Sequence, residues 1–128
     1  AVVITDRYTD STEAYQGYGR GIEMSLVKTV NDLVTDTLRP DVTILLDMPI
    51  DKALIRANTS ADRYDQGGQR KFEEESGQFH DKVRNGYVEL AKLEPNRWFI
   101  VDANQPVEMV SSIIWTTVDK LLSTMSDG

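Results

Sequence analysis

The strongly apolar residues of the chain fall into three short continuous runs, which are separated by longer stretches of helical periodicity. The runs are Val2–Thr5, Val42–Leu46 and Trp98–Val101. Each is apolar at consecutive positions rather than at alternate ones, and this is typical of parallel strands that are covered on both faces of a sheet. The pattern therefore predicts three parallel strands.

The stretches between these runs carry apolar residues at helical spacing. They predict helices over Ile22–Leu38, which Pro40 terminates, over Phe79–Leu90, and over Val107–Leu122, with Pro106 in the first turn. Strands that alternate with helices indicate an α/β fold: a three-layer arrangement with a parallel sheet and helices on both of its faces.

The composition limits the class of protein further. The chain has 128 residues, a net charge of -7, one histidine and no cysteine. This length suits a single domain, and the lack of cysteine excludes disulfides, thiolate metal sites and a cysteine nucleophile. The acidic balance argues against nucleic-acid binding, and no apolar run approaches the roughly 20 residues that span a bilayer. We expect a cytoplasmic protein that binds neither nucleic acid nor membrane.

Three strands would form an unusually narrow sheet. A parallel strand needs a neighbour on each side to satisfy its backbone hydrogen-bonding groups, and the sequence opens directly on a predicted strand at Ala1. We therefore expect that the chain is the C-terminal part of a larger α/β domain, and that one or two strands precede it.

Half of the basic residues are concentrated in one region of this acidic chain. Seven of the fourteen Lys and Arg lie between Lys52 and Arg84. Within that region, Asn58–Gly68 is rich in Ser, Asn, Asp and Gly and has no apolar periodicity, which predicts a mobile loop. The loop has two interpretations, a lid that binds an anion or an ordinary solvated surface loop.

Each of the three apolar runs is followed by an aspartate. These residues are Asp6, Asp47 and Asp102. Open parallel sheets bind their ligands at the carboxyl ends of the strands, so we expect the three carboxylates near a ligand. For Asp47 a local role is equally plausible, because Pro49 and Asp51 already indicate a turn and a helix start.

The segment after the first run carries the most chemical information. A carboxylate at the end of an apolar strand, as at Asp6, is the arrangement that holds Mg²⁺ beside a nucleotide in Walker-B motifs. Arg7 has a planar fork suited to phosphate. The residues that follow offer hydroxyls, an aromatic face, an amide and a glycine-rich loop: Ser11, Thr12, Tyr15, Gln16, Gly17, Gly19 and Gly21. Structural alternatives are an Asp6–Arg7 ion pair and a core position for Tyr15.

Several segments together resemble the bacterial thymidylate kinases in family order. They are Asp6–Gly17 with Gly19-Arg20-Gly21, Pro40–Asp47, Glu75-Ser76 with Phe79-His80, Val83-Arg84 with Tyr87, and Val101–Ala103 with Pro106. The resemblance covers essentially the whole chain. It implies a P-loop NTPase-like fold, with residues 1–128 as the C-terminal part of one nucleoside monophosphate kinase domain. It also implies transfer of the ATP γ-phosphoryl group to dTMP, which gives dTDP.

The resemblance also implies roles for single residues on the acceptor side. Asp6 would lie near Mg²⁺ and the phosphates, and Arg7 would grip the dTMP phosphate. The nucleotide would contact the hydroxyls of Ser11 and Thr12, its thymine would lie near Gln16, and Tyr15 would shape the pocket.

On the donor side, the resemblance implies that Arg56 faces the ATP phosphates. A loop that borders adenine would contain Asp102, Ala103, Gln105 and Pro106. Family likeness further suggests a homodimer, with the helix Ile22–Leu38 as a contact face.

The sequence departs from the family pattern at two places. The G-x-x-x-x-G-K-[ST] loop is absent from this chain, so we expect the chain alone to be inactive as a kinase. The lid, at about residues 56–75, is longer than the family pattern, so its phosphate-binding residue is either Arg63, which we favour as a catalytic cation, or Arg70 with Lys71. Two other functions stay open: a kinase for another nucleotide, or a nucleotide-binding or scaffolding module without a P-loop.

Overall fold

A computed structural model describes residues 1–61 and 77–126 of the chain. A short helix α1 (Thr9–Thr12) continues into a π-helical segment (Glu13–Gly19). The later elements are α2 (Met24–Thr35), β1 (Thr43–Asp47), α3 (Ile50–Ala61), α4 (Gly77–Leu93), β2 (Trp98–Asp102) and α5 (Val107–Ser126). The predicted lid residues Arg63 and Arg70 lie outside the described residues.

The two strands pair in parallel, in a register that runs from Thr43 opposite Trp98 to Asp47 opposite Asp102. Helices separate the strands along the chain, which confirms the predicted α/β class. Because parallel strands run in the same direction, their carboxyl ends meet at one edge of the sheet.

The prediction of a strand at the start of the chain is wrong. Residues 1–5 form no strand, and the side chain of Ile4 is 90% exposed. A strand persists only where a neighbour satisfies its backbone groups, and in the described part of the chain β1 and β2 pair with each other. The apolar pattern of residues 1–5 shows that their side chains suit a buried position. It does not show that their backbone pairs with another strand.

The helix predictions are confirmed with small changes at the ends. Helix α2 ends where Asp36 and Thr37 adopt left-handed φ angles of 53° and 60°, before Pro40. Pro106 directly precedes α5, and its carbonyl oxygen accepts hydrogen bonds from the backbone amides of Met109 and Val110. None of the helices in the described ranges is long and apolar enough to cross a membrane.

The predicted loop over Asn58–Gly68 is wrong at its start, because α3 continues to Ala61. Asn, Thr and Ser are weak helix formers, but adding a residue to an established helix is far easier than nucleating one. The rest of that predicted loop lies outside the described residues.

The core lies where α4 packs against the π-helical segment and the sheet. Its buried members are Ala14, Val83, Leu90, Ala91 and Trp98. Partly buried aromatic side chains pack around them: Tyr15, Tyr18, Phe79 and Tyr87.

Two glycines of the predicted ligand-approach loop, Gly17 and Gly19, instead belong to the π-helical segment. A Cβ at Gly19 would lie 2.9 Å from side-chain carbons of both Phe79 and Val83. On α4, a Cβ at Gly86 would lie 2.6 Å from the Tyr18 Cβ. The loop prediction is therefore wrong for Gly17 and Gly19, and at Gly19 the missing side chain serves helix packing.

Candidate functional site

The carboxyl edge of the sheet carries two of the three predicted strand-end aspartates. Asp47 and Asp102 are register partners, and the Ala103 amide donates a 2.8 Å hydrogen bond to the Asp47 carbonyl oxygen. Asp6 does not join them in the sheet. It lies exposed in a bend, because the segment before it forms no strand.

The Asp47 side chain is held by an arginine from α4. Arg84 donates from Nε to Oδ1 at 2.9 Å and from Nη2 to Oδ2 at 3.2 Å. This bidentate hydrogen bonding raises the pKa of Arg84 above its usual value. Asp47 is thus more than a turn residue, since it ties the end of β1 to α4. The Val83-Arg84 motif was visible in the sequence, but nothing in its spacing identified Asp47 as the partner.

The loop after β2 brings together several residues that were predicted to bind the donor nucleotide. Arg56, on α3, donates from Nη1 to the Ala103 carbonyl oxygen at 3.2 Å. Asp102 accepts a 2.8 Å hydrogen bond from the Asn104 amide at Oδ1, and its carbonyl oxygen accepts one of 2.7 Å from Gln105 Nε2. Pro106 follows and leads into α5. The structure thus places Arg56 at the same loop as Asp102, Ala103 and Gln105.

Arg7 combines a strained backbone with an aromatic contact. Its φ is 62°, in the left-handed region that non-glycine residues seldom occupy. Its guanidinium carbon lies 5.3 Å from the centroid of the Tyr15 ring, within the range of a cation–π interaction. Strained residues cluster at functional sites, where the strain is part of the mechanism.

Tyr15 has contacts on both the core side and the Arg7 side. Its ring centroid lies 6.0 Å from that of Phe79 and 6.3 Å from that of Tyr87. The ring is only partly buried. The core interpretation of Tyr15 is therefore correct in part, and the same ring also supports Arg7.

The predicted hydroxyl and amide groups lie on α1 and on the π-helical segment that continues it. Ser11 Oγ accepts a 2.8 Å hydrogen bond from Tyr87 Oη, Thr12 is exposed, and Gln16 is partly buried. Burial raises the pKa of Tyr87. Its contact with Ser11 was not predicted, since 76 residues separate the two.

The opposite edge of the sheet carries a second set of charges that the sequence did not indicate. Arg97 donates from Nη1 and Nη2 to the two carboxylate oxygens of Asp10 at 2.8 and 2.9 Å. Nη2 also donates to Glu94 Oε2 at 2.7 Å, and Thr43 Oγ1 donates to Asp10 Oδ2 at 2.6 Å. These hydrogen bonds raise the pKa of Arg97 and lower that of Glu94. We call Asp10, Thr43, Glu94 and Arg97 the amino-edge cluster.

The carboxylates of the described residues could bind Mg²⁺ only together with the phosphates of a bound nucleotide. Among residues 1–61 and 77–126, no three His, Asp or Glu side chains gather as a metal site. Mg²⁺ is commonly held by one or two carboxylates together with substrate phosphates and water. The exposed carboxylate of Asp6 can supply one such hard oxygen ligand.

The fold is of the P-loop NTPase-like α/β class. Parallel strands alternate with helices, and the predicted donor-side residues follow the carboxyl end of β2. The family model for thymidylate kinase matches residues 1–114. The chain belongs to the thymidylate kinase family.

Individual relatives agree with this assignment. Thymidylate kinase of Syntrophotalea carbinolica is 44% identical over 122 residues, which cover 95% of this chain and 56% of that protein. Thymidylate kinase of Trichlorobacter lovleyi is 42% identical over 121 residues, covering 94% of this chain and 57% of that protein. The crystal structure of thymidylate kinase from Ehrlichia chaffeensis aligns with a TM-score of 0.58 and 31% identity, covering 89% of this chain and 47% of that one. The chain thus spans just over half the length of these curated relatives.

Proposed function

We propose that the full-length protein is a nucleotide kinase that transfers the γ-phosphoryl group of ATP to dTMP and so forms dTDP. The observation that carries this proposal is the family match over residues 1–114. The geometry supports it, because Arg7 contacts the Tyr15 ring among the residues implied for dTMP, and Arg56 contacts the Ala103 carbonyl oxygen among the described residues implied for ATP.

On the acceptor side, Arg7 would bind the dTMP phosphate through its planar fork. Its left-handed backbone and its contact with the Tyr15 ring hold the guanidinium beside the π-helical segment. The hydroxyls of Ser11 and Thr12 and the amide of Gln16 would contact the nucleotide from the consecutive turns that follow. Substitution of any one of them should then affect dTMP more than ATP.

On the donor side, Arg56 would approach the ATP phosphates while the loop from Asp102 to Pro106 borders adenine. The hydrogen bond from Arg56 to the Ala103 carbonyl oxygen connects these two parts. Asp6 would provide a ligand to Mg²⁺, which when bound neutralises phosphate charge. Arg63 or Arg70, outside the described residues, would complete the cation set from a lid over about residues 56–75.

The reaction needs alignment and charge neutralisation rather than a protein nucleophile, since the acceptor phosphate itself attacks. The absence of cysteine and the single histidine agree with this chemistry. A closed lid would exclude water and so prevent hydrolysis of ATP.

The chain lacks the phosphate-binding G-x-x-x-x-G-K-[ST] loop, which we place upstream in the full-length protein. The apolar side chains left exposed on both strands, Leu46 and Ile100, support an assignment to part of a larger sheet. We accordingly propose that this chain is inactive alone. We also propose a cytoplasmic homodimer, supported by the exposed apolar residues Leu33 and Val34 on α2.

The test is calorimetric titration of the full-length protein with dTMP, dUMP, dCMP, dAMP and dGMP, together with an ATP-dependent phosphorylation assay of each. We expect dTMP to bind most tightly and to be phosphorylated fastest. Preference for another monophosphate would assign a different nucleotide kinase. Binding without phosphate transfer would favour the binding or scaffolding module.

A further inference from the structure

Tyr87, on α4, contacts two residues of the proposed dTMP pocket at once. Its Oη lies 2.8 Å from Ser11 Oγ, and its ring meets that of Tyr15 edge-on at 6.3 Å and 81°. On another side its ring packs against Trp98, with centroids 6.4 Å apart. The contact with buried Trp98 anchors the ring, so the hydroxyl is presented to Ser11 from a fixed position.

The direction of the Tyr87–Ser11 hydrogen bond determines what Ser11 can do. A phenol is a stronger acid than an aliphatic alcohol, so Tyr87 is the better donor of the pair. A serine hydroxyl has one proton to donate and two lone pairs to accept with. When Tyr87 occupies one lone pair, the Ser11 proton points elsewhere, and the partial exposure of Ser11 leaves it accessible to a ligand oxygen.

We propose that Tyr87 is a positioning residue for the acceptor nucleotide: it fixes Ser11 as a hydrogen-bond donor toward a phosphate or sugar oxygen and braces the Tyr15 ring. This inference rests on the proposed function. Tyr87 need not touch the nucleotide itself, because it acts through Ser11 and Tyr15.

The first experiment compares Tyr87→Phe with Tyr18→Phe in the full-length protein. Both substitutions remove only a phenol oxygen, and both rings pack against the same core cluster. Since a hydrogen bond is typically worth about 1 kcal/mol, we expect Tyr87→Phe to raise the KM for dTMP about fivefold. The KM for ATP should stay within about twofold of the wild type, and Tyr18→Phe should leave both constants unchanged. An equal rise of both KM values in Tyr87→Phe, or no rise in either, would overturn the proposal.

The second experiment is a double-mutant cycle with Ser11→Ala. If Tyr87 acts through Ser11, the KM for dTMP of the double variant should match that of Ser11→Ala alone. Independent, multiplying effects would overturn the proposal, and so would a Ser11→Ala variant with wild-type kinetics. In both of those cases the wild type still phosphorylates dTMP, so the kinase function would stand. Failure of the wild type to act on dTMP would instead overturn the proposed function, and this inference with it.

Discussion

The two edges of the sheet both carry carboxylate–arginine pairs, but they differ in how completely each pair is enclosed. At the amino edge, the side chains of Arg97 and Asp10 are 14% and 9% exposed. At the carboxyl edge, those of Arg84 and Asp47 are 37% and 23% exposed. The first pair belongs to the larger amino-edge cluster, whereas the second stands beside the loop that we assign to ATP.

This difference separates a structural role from a functional one. In the amino-edge cluster, Asp10 accepts hydrogen bonds from both Arg97 and Thr43, so a ligand could bind it only by displacing internal partners. Displacement of such partners leaves buried charges unpaired, which is costly. At the carboxyl edge, water can replace a lost partner. Substitutions at the amino edge should therefore lower stability, and those near the proposed ligand sites should lower activity.

The largest effect is expected from Arg97→Ala, which would leave Asp10 buried without its bidentate partner. Removal of one member of a buried ion pair typically costs about 3–5 kcal/mol. We expect a loss of this size in the free energy of unfolding of the full-length protein, measured by urea denaturation. Arg39→Ala serves as the control, because Arg39 is exposed and its charge acts on Glu94 of the same cluster, and it should change stability by less than about 0.5 kcal/mol. Equal stability of the two variants would show that the cluster is not structural.

The next largest effect is expected from Arg7→Ala in the full-length protein. The loss of one charge-assisted phosphate contact should lower kcat/KM for dTMP by about 30- to 1000-fold, or about 2–4 kcal/mol, without unfolding the protein. Arg20→Ala is the matched control, because the Arg20 guanidinium also lies over an aromatic ring, 4.9 Å from the centroid of Phe79. Steady-state kinetics of Arg7→Ala within twofold of the wild type would remove Arg7 from the acceptor site.

A smaller effect is expected when the Asp47–Arg84 pair is broken by Arg84→Ala. The pair is bidentate but partly exposed, and solvent screens it, so the loss of stability should be only about 0.5–1 kcal/mol. Urea denaturation can measure this against Lys92→Ala, which breaks the more exposed Lys92–Glu89 pair and should cause no measurable loss. If Arg84→Ala lowered the free energy of unfolding as much as Arg97→Ala does, the two edges would not differ in their structural importance.

The smallest effect concerns pH. Hydrogen bonding to Arg97 lowers the pKa of Glu94 below its ordinary value of 4.5. The unfolded state therefore binds more protons in the interval below 4.5, so the contribution of Glu94 to stability is complete above that pH and is lost as pH falls through the lowered folded-state pKa. Glu94→Gln should be less stable than the wild type by a few tenths of a kcal/mol at neutral pH, since Glu94 is partly exposed.

The control for this pH effect is Glu13→Gln, which should act in the opposite direction. Burial raises the pKa of Glu13, so its charged form is disfavoured in the folded state at neutral pH. Glu13→Gln should thus be slightly more stable than the wild type there. For each variant, the part of the difference that comes from ionisation should disappear in acid, as followed by urea denaturation across pH. A Glu94→Gln difference that does not change with pH would contradict the assigned cause.

The sequence predicted the elements whose signals are local. Helical spacing identified α2, α4 and α5, and continuous apolar runs identified β1 and β2, because these patterns follow from the geometry of each element. Residues 1–5 carry the same apolar pattern but form no strand. A strand also needs a neighbouring strand to pair with, and the local pattern of residues does not show whether one is present.

The same limit applies to the candidate site. The Arg7 segment could be proposed from its own residues, which lie close together in the chain, whereas the loop from Asp102 to Pro106 was proposed from the family resemblance. The Asp10–Arg97 pair was missed because 87 residues separate its members. Long-range ion pairs produce no periodic pattern in the sequence. A single aspartate or arginine cannot be recognised from the sequence as paired or solvated.

The left-handed backbone of Arg7 has a consequence for protein engineering. A φ of 62° is free of strain only for glycine, so folding by itself would favour Gly at this position over Arg. Screens that reward thermal tolerance or expression yield should therefore enrich Arg7→Gly. Given the proposed role of Arg7, such a screen would select stable proteins that bind the acceptor phosphate poorly, unless catalytic turnover is assayed alongside.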